Sequence, residues 1–270
     1  ITPSLISNFY LNTCLLKCSR GILPRVYGAC MKHILLFIFT VLLSLPSYGS
    51  VVIMGTRVIY PAEQKSINVR LNNGDSTPSL IQAWLDTGDP SSPPDSVRVP
   101  FIITPPVFRV EPLSGQTMRI MYTGEKLPAD RESLFWLNVL DIPAKPSFAG
   151  KSEKAQGYNY LQFAVRSRIK FFFRPDGLPF SPDDAYKKVT WQLTGGDTLQ
   201  ASNPTPYFIT FSTVSVGQGA QKVSSTQGGM AAPFSSVTFR LKQKVSPSGK
   251  VEWTVVNDNG GYQKGESVVK

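Results

Sequence analysis

The feature that most constrains this chain is the run from Leu161 to Pro175 (LQFAVRSRIKFFFRP), in which polarity alternates with period two. Leu161, Phe163, Val165, Ser167, Ile169, Phe171 and Phe173 share one parity; Gln162, Arg166, Arg168, Lys170 and Arg174 share the other. That period belongs to a β-strand, here with one apolar and one strongly basic face. Pro175 has no N–H to continue a ladder and ends it. A strand of about 13 residues over 160–173 is roughly twice the usual length. Left as an uncovered edge, its apolar stripe would invite another chain to pair with it. The plainer alternative is a core strand with a solvated basic side.

The rest of the chain from Val51 onward reads as short strands with almost no helical periodicity. Candidates are Met54–Tyr60, Ser66–Asn72, Leu80–Asp86, Phe101–Thr104, Thr117–Tyr122 and Ser133–Asp141, before the long strand. Turn signals separate them at Asn73-Gly74-Asp75, Ser91 to Pro94, Ser114-Gly115 and Lys126-Leu127-Pro128. Seven such runs in about 125 residues suggest an immunoglobulin-like sandwich. Pro105-Pro106 after Thr104 marks a turn or a kink between sheets, with a cis bond as one way to make it. A loop rich in Lys, Gly, Ser and Pro over 143–158 leads into the long strand. Arg174 to Pro179 holds two prolines and a glycine and is the best domain boundary. Beyond it, Lys188–Leu193, Thr198–Ser202, Tyr207–Val216, Ser235–Leu241 and Lys250–Val256 predict a second, smaller β-sandwich. The expected organisation is a first domain over 50–174, a hinge over 175–180 and a second domain over 181–270.

The start of the chain reads as an export signal. Met31-Lys32-His33 is a short positive region, Ile34 to Leu43 is apolar, and Ser47-Tyr48-Gly49 places small residues at the −3 and −1 positions of a cleavage site. Residues 31–49 are therefore expected to be a signal peptide, and residues 1–30 a gene-model extension ahead of Met31. Cys14, Cys18, Cys30 and His33, the chain's only cysteines and histidine, precede Ser50. A chain starting at Ser50 has no Ser-His or Cys-His catalysis, no His or Cys metal site and no disulfide framework. Four of the 28 basic residues (Lys17, Arg20, Arg25, Lys32) and none of the 18 acidic ones precede Ser50, which leaves 24 against 18 and a charge of +6. Such an excess attracts anions of any kind, and export argues against nucleic acid. No phosphate-binding loop, dinucleotide fingerprint or nucleophile elbow is present. Asp183-Asp184, and Asp86 with Asp89, read as solvated turn residues rather than an acid/base pair. No catalytic residue, cofactor or metal is expected.

Five stretches then agree in order and spacing: Thr56 to Pro61, Asp130 to Trp136, Ile169 to Pro175, Asn203 to Tyr207 and Asn257 to Gly261. Together, over essentially all of 50–270, they resemble the periplasmic pilus-assembly chaperones, the PapD-like family. The resemblance implies an all-β protein of two immunoglobulin-like sandwiches in a boomerang arrangement. It implies a Gram-negative periplasmic chaperone whose partners are pilus subunits and an outer-membrane usher. Such a chaperone lends its long strand to subunits that lack their own last strand. By match to the family's motifs, Arg57 and Lys170 would bind the subunit's terminal carboxylate, and Leu161, Phe163 and Val165 would fill the subunit's groove. Ile169, Phe171 and Phe173, nearer the domain junction, are expected to pack in the chain's own core. Glu132, Arg174 and Asp258 match a buried charged trio between the domains, and Thr104-Pro105-Pro106 a proline-pair turn. Without cysteines after Ser50 the chain is similar to the short-loop branch. An exposed stripe would also let the free protein cap itself as a homodimer. The competing reading is a structural or adhesive β-sandwich subunit; an enzyme has no support.

Overall fold

The computed structural model describes residues 51–94, 97–145, 161–217, 222–245 and 249–269. The expected extension (1–30) and signal peptide (31–49), residues 146–158 of the expected loop, and Tyr160 at the expected start of the long strand lie outside these.

The first domain runs β1 (Val51–Ile53), β2 (Arg57–Pro61), β3 (Ser66–Asn73), β4 (Ser79–Asp86), β5 (Phe101–Thr104), β6 (Val107–Val110), β7 (Gly115–Tyr122), β8 (Ser133–Pro143) and β9 (Val165–Arg174). They form two sheets, in the orders β1-β3-β7-β5 and β2-β9-β8-β4-β6. The chain crosses between the sheets at every connection from β1 to β8, and two of the crossings carry a special backbone conformation. Gly55, with φ of 136°, lies between β1 and β2. The cis Thr104–Pro105 peptide lies between β5 and β6. The expected strand Met54–Tyr60 is corrected accordingly: the backbone near Gly55 leaves one sheet, and pairing with the other begins at Arg57. A positive φ of that kind is accessible to glycine without a Cβ penalty.

Alternation sorts β9 by depth. Phe171 and Phe173 enter the core with Tyr60, Phe101, Tyr122 and Phe135, and Ile169 packs against them. Phe101 meets Phe171 edge-on at 4.9 Å, Tyr122 meets Phe173 tilted at 4.6 Å, and Tyr60 stacks on Phe173 at 5.9 Å. The expected start of the strand at Tyr160 is corrected: pairing begins at Val165, opposite Asp141 of β8. Beyond Asp141 the partner strand has only Ile142 and Pro143, and Pro143 has no N–H to give. Leu161–Ala164 therefore precede the ladder, outside any strand.

The second domain opens with a short helix, α1 (Pro182–Lys187), capped by the Ser181 side chain accepting from the Asp184 N–H at 3.2 Å. Ser at the cap, Pro at the first position and acids in the first turn are a helix start, so Asp183-Asp184 belong to a helix and not to a loop. Then come β10 (Thr190–Thr194), β11 (Thr198–Asn203), β12 (Ile209–Val216), β13 (Val223–Ser224), β14 (Gly229–Ala231), β15 (Ser235–Arg240), β16 (Lys250–Val256) and β17 (Tyr262–Val268). The sheets are β10-β11-β15 and β13-β12-β16-β17, with β14 also on β12. Trp191, Phe211 and Phe239 centre a separate core. Strand β17 is not among the sequence-based candidates because its residues, YQKGESV, carry no apolar row. It is held by its ladder to β16 and by Gly265, over which the Trp253 ring closes.

Candidate functional site

β2 and β9 pair in parallel, and the register sets Arg57 directly beside Lys170. The Arg57 Nη1 donates to the Val256 carbonyl at 2.8 Å, and its guanidinium lies 5.7 Å from the Phe172 ring centre. Its buried Nε has no hydrogen-bond partner among the described residues. Lys170 Nζ donates to the Thr210 hydroxyl at 3.0 Å. The two side chains border a cleft of about 260 Å³ closed by Thr56 and Trp136 on one side and by Val256, Gly260 and Tyr262 of the second domain on the other. Burial, and then the neighbouring Arg57 charge, bring the Lys170 ammonium down to about 8. Burial likewise lowers Arg57. Neither side chain has an ion pair among the described residues. Asp258 and Glu132 act on Arg57 only from a distance, so the two partly desolvated cations lie side by side without a direct ion pair, an arrangement that can attract an anion.

The basic parity of β9 is not the solvated side that the plainer alternative supposed. Arg168 Nη2 meets Asp86 Oδ1 at 2.5 Å, and Arg166 lies 3.7 Å from the same carboxylate. Asp86 is completely buried and also accepts from Asn138 Nδ2 at 2.7 Å and from the Gly88 N–H at 2.7 Å. Burial alone would raise its carboxyl; the hydrogen bonds from Arg168, Asn138 and Gly88 outweigh it and hold it below the ordinary range. The guanidinium of Arg166 stacks 4.7 Å from the Trp84 ring, and that of Arg168 4.2 Å from Trp136. Asp86 is thus a structural ion-pair partner, not a turn residue. Asp86 ending an apolar strand, and Asn138 within one, are the sequence signals for this network.

Arg174 bridges the domains. Its Nε donates to Glu132 Oε1 at 2.7 Å, and its two Nη atoms grip Asp258 at 2.7 and 3.0 Å. Glu132 is buried, and its Oε2 accepts from the Phe208 N–H of the second domain at 2.8 Å. Burial pushes the Glu132 carboxyl up, against the pull of Arg174 and that N–H. The two carboxylates keep Arg174 charged despite its own burial. Two further junction contacts involve residues that lie within the sequence motifs but have no role assigned from them. Phe172, the one apolar residue of β9 on the basic parity, meets Phe208 at 5.6 Å. Gly260, with φ of 80°, lies so close to Thr56 that a Cβ there would collide with the threonine hydroxyl.

At the other end of β9, Leu161, Phe163 and Val165 are 77%, 66% and 56% exposed. The Gln162 side chain donates to the Pro143 carbonyl at 2.7 Å and ties the segment to the end of β8. Period two keeps these apolar side chains on the parity of the core residues, opposite to Lys170.

Comparison with known proteins matches residues 50–179 to the pili and flagellar-assembly chaperone PapD N-terminal domain, and residues 184–267 to the pili assembly chaperone PapD C-terminal domain. The chain is 43% identical over 233 residues to the chaperone protein HifB of Haemophilus influenzae, covering 86% of this chain and 93% of that protein. It is 42% identical over 239 residues to the probable fimbrial chaperone YadV of Escherichia coli, covering 86% and 95%. Among solved structures, the Pseudomonas aeruginosa CupB2 chaperone superposes with a TM-score of 0.69 at 37% identity, covering 81% of this chain and all of that one. The SafB chaperone of Salmonella enterica, solved in complex with the SafA pilin, gives 0.68 at 29% identity, covering 83% and 99%.

Proposed function

This chain belongs to the PapD-like family of pilus-assembly chaperones, which are not enzymes, and from that premise we propose that it captures pilus subunits in the periplasm by donor-strand complementation and delivers them to an outer-membrane usher. The observation that carries this reading is that one strand joins two complementary features. Leu161 and Phe163, just ahead of it, and Val165, its first residue, stand exposed. Further along, Lys170 enters the cleft beside Arg57.

A subunit's terminal carboxylate, seated between Arg57 and Lys170, would accept from the Arg57 guanidinium and from the ammonium. Seating one end fixes the register of the paired strands. A slip of one residue would turn every side chain to the wrong face, so the anchor decides which groove positions receive the three apolar side chains. Each of these, fully buried, contributes roughly 1.5–3 kcal/mol. Backbone pairing supplies the remaining affinity without regard to subunit sequence. In the free protein the same stripe would be capped by a second copy.

The test is a periplasmic pull-down of the exported protein beside its Lys170→Ala variant, with mass spectrometry of the co-purifying proteins. Wild type is expected to bring down small secreted immunoglobulin-like subunits that the variant does not. Equal recovery by both would overturn the carboxylate anchor. No recovery by wild type with subunits co-expressed would overturn capture itself.

A further inference from the structure

One loop of the second domain holds Glu132 twice: the Glu132 N–H donates to the Pro206 carbonyl at 2.9 Å, and its Oε2 accepts from the Phe208 N–H. The neighbouring Arg131 takes part in neither contact. Its Nε and Nη2 donate to the two oxygens of Asp130 at 3.0 and 2.7 Å, which fixes the plane of the guanidinium. The guanidinium carbon then lies 4.8 Å from the centre of the Phe234 ring, in the turn between β14 and β15 of the second domain. Phe234 is unusual on two counts. It is 51% exposed, so filling the core does not account for an aromatic residue there. Its φ is 53°, a left-handed conformation that a bulky side chain disfavours. Such a residue persists only where its surroundings over-determine it.

Here they do. The Phe234 N–H donates to the Thr205 carbonyl at 3.1 Å. Buried Asn203 donates to the Tyr207 and Ala232 carbonyls at 2.8 and 2.9 Å, and accepts from the N–H and hydroxyl of Thr205 at 3.0 and 2.7 Å. One side chain thus bolts the 203–207 loop to the turn that carries Phe234. The same loop runs into β12, whose Thr210 accepts from the Lys170 ammonium. We propose that Phe234 is a positioning residue for the carboxylate anchor: with Arg131 on its ring it clasps the first domain to the 203–208 loop, and so holds Thr210 and the second-domain wall of the cleft against Lys170. The inference rests on reading Arg57 and Lys170 as that anchor. Arg174 with its two carboxylates fixes one point of the junction; a second contact, made by a different residue on each side, restricts rotation about the first. A half-exposed contact of this kind is modest in energy, so its loss loosens the cleft without unfolding either domain.

The experiment compares the exported protein with Phe234→Ser, Phe234→Trp, Arg131→Ala and the double variant of Phe234→Ser with Arg131→Ala. Calorimetry follows binding of a synthetic peptide of alternating apolar and polar residues with a free terminal carboxylate, beside its amidated form. Phe234→Ser is expected to melt close to wild type and to bind the free-carboxylate peptide roughly threefold to fivefold more weakly, the size of an exposed cation–π contact. Its affinity for the amidated peptide should not change. The fall in wild-type affinity above about pH 8 should begin at higher pH in this variant, because a less enclosed Lys170 ammonium returns toward its ordinary range. Phe234→Trp, which keeps a ring face for Arg131, should restore both the affinity and the pH profile. The double variant should be no weaker than either single one. Arg131→Ala, at a half-exposed side chain, gives the same reading should Phe234→Ser not accumulate. Unchanged affinity and pH profile in the single variants, or additive losses in the double one, would overturn the clasp and leave the anchor standing. Wild type that binds the two peptides alike would overturn the anchor, and the clasp with it.

Discussion

Lys170 sets capture against stability. Its ammonium titrates at about 8 in the folded chain, against 10.5 ordinarily, because burial and Arg57 disfavour its charge. Between those values the unfolded chain binds the extra proton, so this residue makes stability rise with pH from about 8 to 10.5, and its cost is fully present below about 8. Replacing it with an apolar side chain of similar length should remove that cost: Lys170→Met is expected to melt a few degrees higher than wild type while losing subunit capture. A bound carboxylate has the opposite preference and holds the proton on. Affinity for a peptide with a free C-terminal carboxylate should be level below about pH 8 and fall above it, with proton uptake on binding near pH 8. Calorimetry in two buffers of different ionisation enthalpy measures both, and the C-terminally amidated peptide should show neither. Asp86 has no such conflict. Removing one partner of a buried pair leaves the others uncompensated, so Asp86→Ala should cost about 3–5 kcal/mol in urea unfolding. The sequence shows these residues' charges but not their partners. Arg166 and Arg168 share parity with Lys170, and only the position of Asp86 under two of the three separates ion-paired cations from Lys170, which has no ion pair among the described residues.

At the scale of the element, β9 changes role along its length. Its inner end is core and its outer end is exposed, though one alternation runs through both. Phe163→Ser and Val165→Ser are expected to leave the melting temperature unchanged and to weaken subunit binding about tenfold to a hundredfold each. Phe171→Ser, further in on the same alternation, should instead lower stability and expression, because its ring is fully buried among Tyr60, Phe101 and Phe135. Surface plasmon resonance with a purified subunit, beside thermal melting, separates the two classes. The strand's existence, faces and end at Pro175 are legible from period two alone. Its start is not, because pairing begins where β8 offers a last partner. In β17 the reverse holds: a sequence without an apolar row becomes a strand because a neighbour's ladder and the Trp253 ring supply what its own side chains lack.

At the scale of the whole molecule, the two sandwiches each have a core and meet through a small set of groups. Arg174 holds Glu132 and Asp258, and Glu132 in turn accepts from the Phe208 N–H. Arg174→Ala leaves a buried carboxylate uncompensated and should cost about 3 kcal/mol. It should also broaden the distribution of interdomain geometry, visible as an increased radius of gyration in small-angle scattering. Unchanged melting together with unchanged scattering would show the trio to be incidental. Local order along the chain is enough to set strand period, turn residues, the proline that ends β9, and the motifs whose spacing marks the family. Whether an apolar row meets its own core or water, and whether a cation meets a carboxylate or an open cleft, is settled in three dimensions. Those outcomes depend on where partner strands end and in what register they pair, and both are set by residues distant in the chain.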